Sequence, residues 1–118
     1  EVDPEEVMIC HCTDCQIISG TVYRTVVRTD EAAFQLLSGE MKAYVKIAES
    51  GNQRAQMFCP DCGTHIYATS TGDSPKVFGI RTGTARQRNV LPPKTQYWCH
   101  SAHDWAKDIS GLKAVASQ

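Results

Sequence analysis

Apolar and polar residues alternate with a period of two over much of the chain, and that period predicts strands. "MKAYVKIA", residues 41–48, sets Met41, Ala43 and Val45 against Lys42, Tyr44 and Lys46, the pattern of a strand with one face covered. "TVYRTVVRT", residues 21–29, is rich in β-branched side chains and reads as a second strand. Residues 7–9 are apolar and run into Cys10 as a strand end. "ESGN", residues 49–52, is a hairpin-type turn, and "QRAQMF", residues 53–58, is its return strand. "HIYAT", "KVFGIRTG" and "TQYW" add further strands, separated by the loops "STGDSP" and "ARQRNVLPP". Helix is sparse. "DEAAFQLLSG", residues 30–39, predicts a short one, with Thr29 or Asp30 as cap, Phe34 and Leu37 on one face and Gly39 as stop. Ser101, three residues before Asp104, predicts a capping-box start to a terminal helical turn. Many short strands with little helix predict a mainly β domain.

The totals narrow the class. The 118 residues suffice for one domain, residues 1–118, with one modest core. Apolar content of 42% and charged content of 21% are those of an ordinary folded protein. A formal net charge of −1 argues against wholesale binding to nucleic acid or to an acidic membrane surface. No run approaches the ~18 apolar residues of a membrane span, and no secretory signal opens the chain, so a cytoplasmic protein is expected. The first residue is Glu1 rather than Met, and an upstream segment is expected to be missing.

The 6 cysteines change the picture most. A secreted scaffold would pair them as disulfides, but C-x-C and C-x-x-C clustering suits a metal ion better than long-range cross-links. "CPDCG" places Cys59 and Cys62 around a tight turn, a zinc knuckle, with Gly63 supplying the backbone conformation that follows. "CHCTDC" is different. On an extended segment Cys10 and Cys12 face one side and His11 the other; the chain then turns through Thr13 and Asp14, and Cys15 can join as a third ligand. Two readings stand at this point. Cys12, Cys15, Cys59 and Cys62 can form one closed structural site, leaving Cys10 spare. Alternatively Cys10, Cys12 and Cys15 hold one zinc with an open fourth position, and Cys59 and Cys62 belong to a second site completed by Cys99, His65, His100, His103 or an upstream segment.

"CHCTDC", followed after about forty residues by "FCPDCGTHIY", resembles the glutathione-dependent formaldehyde-activating enzyme family. The later "GTARQRNVLPPKTQYWCHSAHDW" resembles that family's C-terminal pattern at Gly83, Thr84, Pro92, Pro93, Trp98, Ser101 and Trp105. The resemblance implies an all-β fold of several small coiled sheets with short helical turns, stabilised by zinc and similar to the zinc-bearing methionine sulfoxide reductases. It implies a catalytic zinc on Cys10, Cys12 and Cys15, and a structural zinc to which Cys59 and Cys62 contribute, so it favours the two-site reading. The activity it implies is of the carbon–sulfur lyase type: condensation of formaldehyde with glutathione to S-hydroxymethylglutathione. Two departures stand out. The family's N-terminal C-x-C pair, which completes the structural site, has no counterpart before Cys10, and Gln96 stands where histidine is common.

The chemistry fits a three-cysteine centre. A soft thiolate site accepts a soft incoming ligand, and a substrate thiol qualifies. Three thiolates on a divalent ion already leave a net charge of about −1 by the charges of the ligands, so a non-catalytic zinc-binding or thiol-carrier module would show the same residues. No general acid stands out among His11, His65, His100 and His103. Arg81, Arg86 and Arg88 form a basic group that could receive a carboxylate, set against ordinary solvated loop charges. Trp98 and Trp105 are read as core residues before pocket-lining ones, and Cys99 as buried packing.

Overall fold

The computed structural model describes residues 1–48 and 50–118. Its strands are β1 (Val7–Cys10), β2 (Arg24–Asp30), β3 (Lys42–Ile47), β4 (Gln53–Phe58), β5 (His65–Ser70), β6 (Val77–Arg81) and β7 (Thr95–Tyr97), and its one α-helix among the described residues is α1 (Thr13–Ser19). The protein is mainly β, as expected. The 7 strands join in one sheet, in the order β3-β4-β5-β6-β2-β1-β7, where the family resemblance implied several small ones. Neighbours run antiparallel except β1 and β7, which are parallel.

Register decides what each face of the sheet carries, because side chains alternate along a strand. Val7 pairs with Val27, Val27 with Ile80, and Ile80 with Tyr67, so these four share one face. Val7, Val27 and Leu91 form the buried cluster there, with Val2, Ile80 and Ala85 packed against it. Leu91 explains part of the loop before the two prolines, which is anchored by an apolar side chain rather than being wholly polar. On the same face Tyr67 and Phe78 stack with ring centroids 4.2 Å apart, and Phe34 lies 5.0 Å from Tyr67 and 5.4 Å from Phe78.

That aromatic contact accounts for one correction. The helix expected over residues 30–39 is a single 3₁₀ turn, Glu31–Ala33. Phe34 leaves the turn with extended backbone (φ −105°, ψ 133°) to reach the stack, and Leu37 is 85% exposed, so no apolar stripe is buried to sustain a helix. At the C-terminus the 3₁₀ turn Asp104–Lys107 starts at His103 without a side-chain cap, and Ser101 belongs to the preceding turn, Cys99–Ser101; the expected capping box is not made. Of the turn expected over residues 49–52, Glu49 lies outside the described residues; Gly51 adopts φ 88°, a left-handed conformation open to glycine.

The opposite face carries Cys10 opposite Arg24, Val26 opposite Arg81, Ala68 opposite Gln56, and Arg54 opposite Lys46. This polar face is where the chemistry gathers. In a flat sheet β1 and β4 would lie four strand spacings apart, roughly 19 Å. Yet Cys10 of β1 and Arg54 of β4 line the same cleft. The sheet is therefore strongly curled, as twisted sheets become when they begin to close. Asp14 of α1 forms an ion pair with Lys46 of β3 and so ties the two ends of the curl together.

The core account has a direct check. Val27 is 2% exposed at the centre of the apolar cluster. Val27→Ala is expected to lower unfolding stability by about 2 kcal/mol, whereas Leu37→Ala should change it by less than about 0.5 kcal/mol. Urea denaturation of the two variants measures both.

Candidate metal centre

β1 ends at Cys10, and the chain then turns directly into α1. Cys12 is the N-cap of that helix. Its backbone is extended (φ −61°, ψ 154°), and its Sγ accepts a hydrogen bond from the Cys15 amide at 3.3 Å. A cap of this kind satisfies one of the free N–H groups of the first turn. The cap orients Cys12 towards the first turn, where Cys15 lies three positions on, while the register of β1 aims Cys10 at the same point. The three sulfurs lie within 4.8 Å of one another, and all three residues are buried. Gly20 ends the helix in the left-handed conformation (φ 68°), its amide donating to the carbonyls of Gln16 and Ile17.

The donor set fits a soft divalent metal. Tetrahedral zinc with Zn–S of ~2.3 Å needs sulfurs about 3.8 Å apart, a separation that falls within the 4.8 Å bounding the cluster. The proton distribution points the same way. Hydrogen bonding from the Cys15 thiol holds the Cys10 pKa well below the usual thiol range, helped by Arg24. The Cys15 pKa is pushed up by that same bond and then by burial, and burial raises that of Cys12. One sulfur is thus already inclined to be a thiolate.

His11 faces away from the sulfurs, as the extended-strand argument expects. Its Nε2–H donates to Gln96 Oε1 at 2.9 Å, and its ring meets Tyr23 edge-on at 5.4 Å. Gln96 therefore has a definite task in this chain: it positions the segment between two of the cysteines. Gln16 is a second organiser that the sequence did not single out. Its Nε2 donates to the carbonyls of His11 at 2.8 Å and Ser101 at 3.1 Å, and its Oε1 bonds His103 Nε2 at 2.8 Å. The cysteine loop and the C-terminal segment are held by one amide.

The sulfurs open into a cleft of about 280 Å³ lined by Cys10, Cys12, Asp14, Cys15, Ile18, Arg24, Lys46, Arg54, Gln56 and Trp98, with the β3–β4 turn at its rim. Trp98 is the one non-glycine residue with positive φ (57°) among the described residues. Bulky side chains occupy that region only when their surroundings require it, and such residues gather at functional sites. Behind the rim Arg81 is buried and reaches across β5 to donate from Nη2 to Gln56 Oε1 at 2.9 Å. Burial lowers its pKa to about 10, and the charges of Arg24 and Arg54 push the same way.

The remaining candidates lie elsewhere. Cys59 is half-buried and Cys62 exposed, and neither joins the triad, so the single closed site on Cys12, Cys15, Cys59 and Cys62 is overturned. The tight turn expected around the pair is formed: the Gly63 amide donates to the Cys59 carbonyl at 2.8 Å, the Cys59 amide to the Thr64 carbonyl at 2.9 Å, and Cys62 Sγ lies 3.2 Å from Thr64 Oγ1. Among the described residues no third His, Cys, Asp or Glu forms a cluster with the pair. Cys99 is exposed, not buried packing. His65 stacks on Phe58, His100 packs on Trp98, and His103 is held by Gln16. The expected loop cluster of Arg81, Arg86 and Arg88 separates, with Arg81 buried on the sheet and the other two exposed. Trp98 lines the cleft rather than the core, and Trp105 is exposed beside Gln16 and His103. Arg24, Lys46 and Arg54 were missed because only strand pairing brings them to the cysteines.

Gln16→Ala removes three hydrogen bonds at once. It is expected to cost about 1–3 kcal/mol in unfolding stability and to speed proteolysis after Ser101. Equal proteolysis rates for the variant and the parent protein would contradict the role given to this amide.

A comparison with protein families matches residues 1–101 to the glutathione-dependent formaldehyde-activating enzyme. The match takes in all seven strands, α1 and the three clustered cysteines. No curated protein matches the chain. No helix among the described residues is long and apolar enough to cross a membrane. With the family match spanning most of the 118 residues, the chain belongs to the glutathione-dependent formaldehyde-activating enzyme family.

Proposed function

We propose that the cleft binds a zinc ion on Cys10, Cys12 and Cys15 and catalyses addition of a thiol, glutathione foremost, to formaldehyde. The single observation that carries this reading is the convergence of three buried sulfurs at the floor of an open cleft, with no fourth protein ligand in their cluster among the described residues. A structural zinc would have four protein ligands and no such cleft. The family adds the substrate class. Zinc bound there would supply the Lewis acidity that lets a substrate thiol ionise at neutral pH.

The chain's own residues do the rest. Trp98 and Ile18 border the cleft and shield the reacting sulfur from water on their sides. The thiol proton leaves to solvent, the sulfur lone pair forms the C–S bond, and the carbonyl π pair moves to oxygen as an alkoxide. That alkoxide needs a proton. No histidine lines the cleft among the described residues, whereas Lys46 does. Asp14 holds Lys46 in its charged form by a hydrogen bond that raises its pKa. An ammonium is a stronger acid than a hemithioacetal hydroxyl, so the transfer runs downhill, and water restores the lysine proton. Orientation of the two reactants supplies a further part of the gain. Cys59 and Cys62 remain in this reading the partial ligand set of a second, structural zinc.

Metal analysis and exchange kinetics test this together. The protein is expected to hold zinc on the triad and to raise the rate of S-hydroxymethylglutathione formation above the spontaneous rate in carbon-13 exchange spectroscopy. Cys12→Ser should lose both, while Cys99→Ser loses neither. Binding of glutathione without acceleration would make the protein a thiol carrier, and retention of tightly bound zinc by Cys12→Ser in a Cys59→Ser, Cys62→Ser background would refute the triad as its site.

A further inference from the structure

The polar face of the sheet holds more positive charge than its acids account for. Arg24, Arg54 and Arg81 lie on that one face, and their charges act on one another and on the cysteines: Arg24 on Cys10 and Cys15, and Cys15 on Arg54 and Arg81. The ion pairs among the described residues join Arg28 to Glu6, Lys46 to Asp14, Lys94 to Glu5 and Lys107 to Asp104, so none takes up any of the three. Two of the guanidiniums also keep a buried nitrogen without a hydrogen-bond partner, Nε of Arg24 and Nη1 of Arg81. Buried cationic groups left in this state are costly unless an anion meets them.

The charges show what kind of anion is wanted. Three thiolates on a divalent metal leave one negative charge, so two of the three arginine charges stay unbalanced. An incoming thiolate balances one. The last requires a second negative group on the same ligand. Arg81 lies behind Gln56 and is not among the residues that line the cleft, whereas Arg24 and Arg54 are. Guanidinium pairs bind carboxylate through parallel N–H bonds better than a point charge does.

We propose that Arg24 and Arg54 are the carboxylate-reading residues of the cleft and give it a preference for thiols bearing an acid group over neutral thiols. The assignment rests on the thiol-binding reading above and deepens it. It also moves ligand recognition from the exposed loop arginines to the strands β2 and β4, which are rigid and keep the acid group at a fixed distance from the sulfur.

The test uses two small thiols of nearly equal size, 3-mercaptopropionate and 3-mercaptopropionamide, titrated calorimetrically into the zinc-loaded protein. The acid is expected to bind about tenfold more tightly than the amide, the worth of one charge-assisted pair. In Arg54→Gln and in Arg24→Gln that preference should shrink to about twofold, with zinc content unchanged. Equal affinity for acid and amide in the parent protein would overturn the proposal while leaving thiol binding intact. A preference that survives in both variants would overturn it as well. If neither thiol binds, the thiol-binding reading falls and this assignment falls with it. Should Arg24→Gln fail to fold, the parent comparison and Arg54→Gln still decide.

Discussion

The structure depends on a strand that ends where a helix begins. β1 delivers Cys10, and two residues later Cys12 caps α1 by accepting the Cys15 amide. Nothing longer would keep three sulfurs in one place. A loop between strand and helix would cost conformational entropy to order, and a helix without its cap would leave its first amides unpaired beside the sulfurs. The cap also gives Cys12 two duties, helix nucleation and a place in the cluster, so local folding and site assembly are one event.

Everything else on the polar face answers to that point. The sheet curls until β3 and β4 stand over the cysteines, and the Asp14–Lys46 pair joins the helix to the far edge strand. The parallel strand β7 lies beside β1, where the His11 amide donates to the Tyr97 carbonyl at 3.0 Å and Gln96 holds the His11 ring. Gln16 then draws the C-terminal segment onto the same loop. The apolar face supplies the stability that lets the other face hold buried sulfurs and arginines, groups that cost free energy to bury when left unpaired. Division of labour between the two faces follows from the two-residue period alone.

The strands were largely legible. β4 has the bounds that its sequence predicts, and β3 forms within residues 41–48, but its alternation does not become a covered face: Ala43 and Val45 are exposed, and Lys46, drawn to Asp14, is the half-buried residue of the strand. The triad was legible as a motif, because C-x-C followed by C-x-x-C leaves few ways to place the sulfurs. Helices were read less well. Residues 30–39 had caps and an apolar pair but no partner surface other than the aromatic stack that takes Phe34. α1 was passed over because its cap is a cysteine, a residue outside the usual capping set, although Gly20 marked its end. Strand pairing was legible only for the β3–β4 hairpin, which sets Lys46 opposite Arg54; Arg24 is far from both in sequence, and only long-range register puts it on the same face.

The account stands on a metal centre with three cysteine ligands and one exchangeable position. X-ray absorption at the zinc edge counts those ligands directly. The account predicts three sulfurs and one lighter atom at the triad's zinc in the resting protein, measured on a Cys59→Ser, Cys62→Ser variant so that one site is seen, and four sulfurs once glutathione is added. Four sulfurs in the resting protein, or a shell unchanged by glutathione, would contradict it.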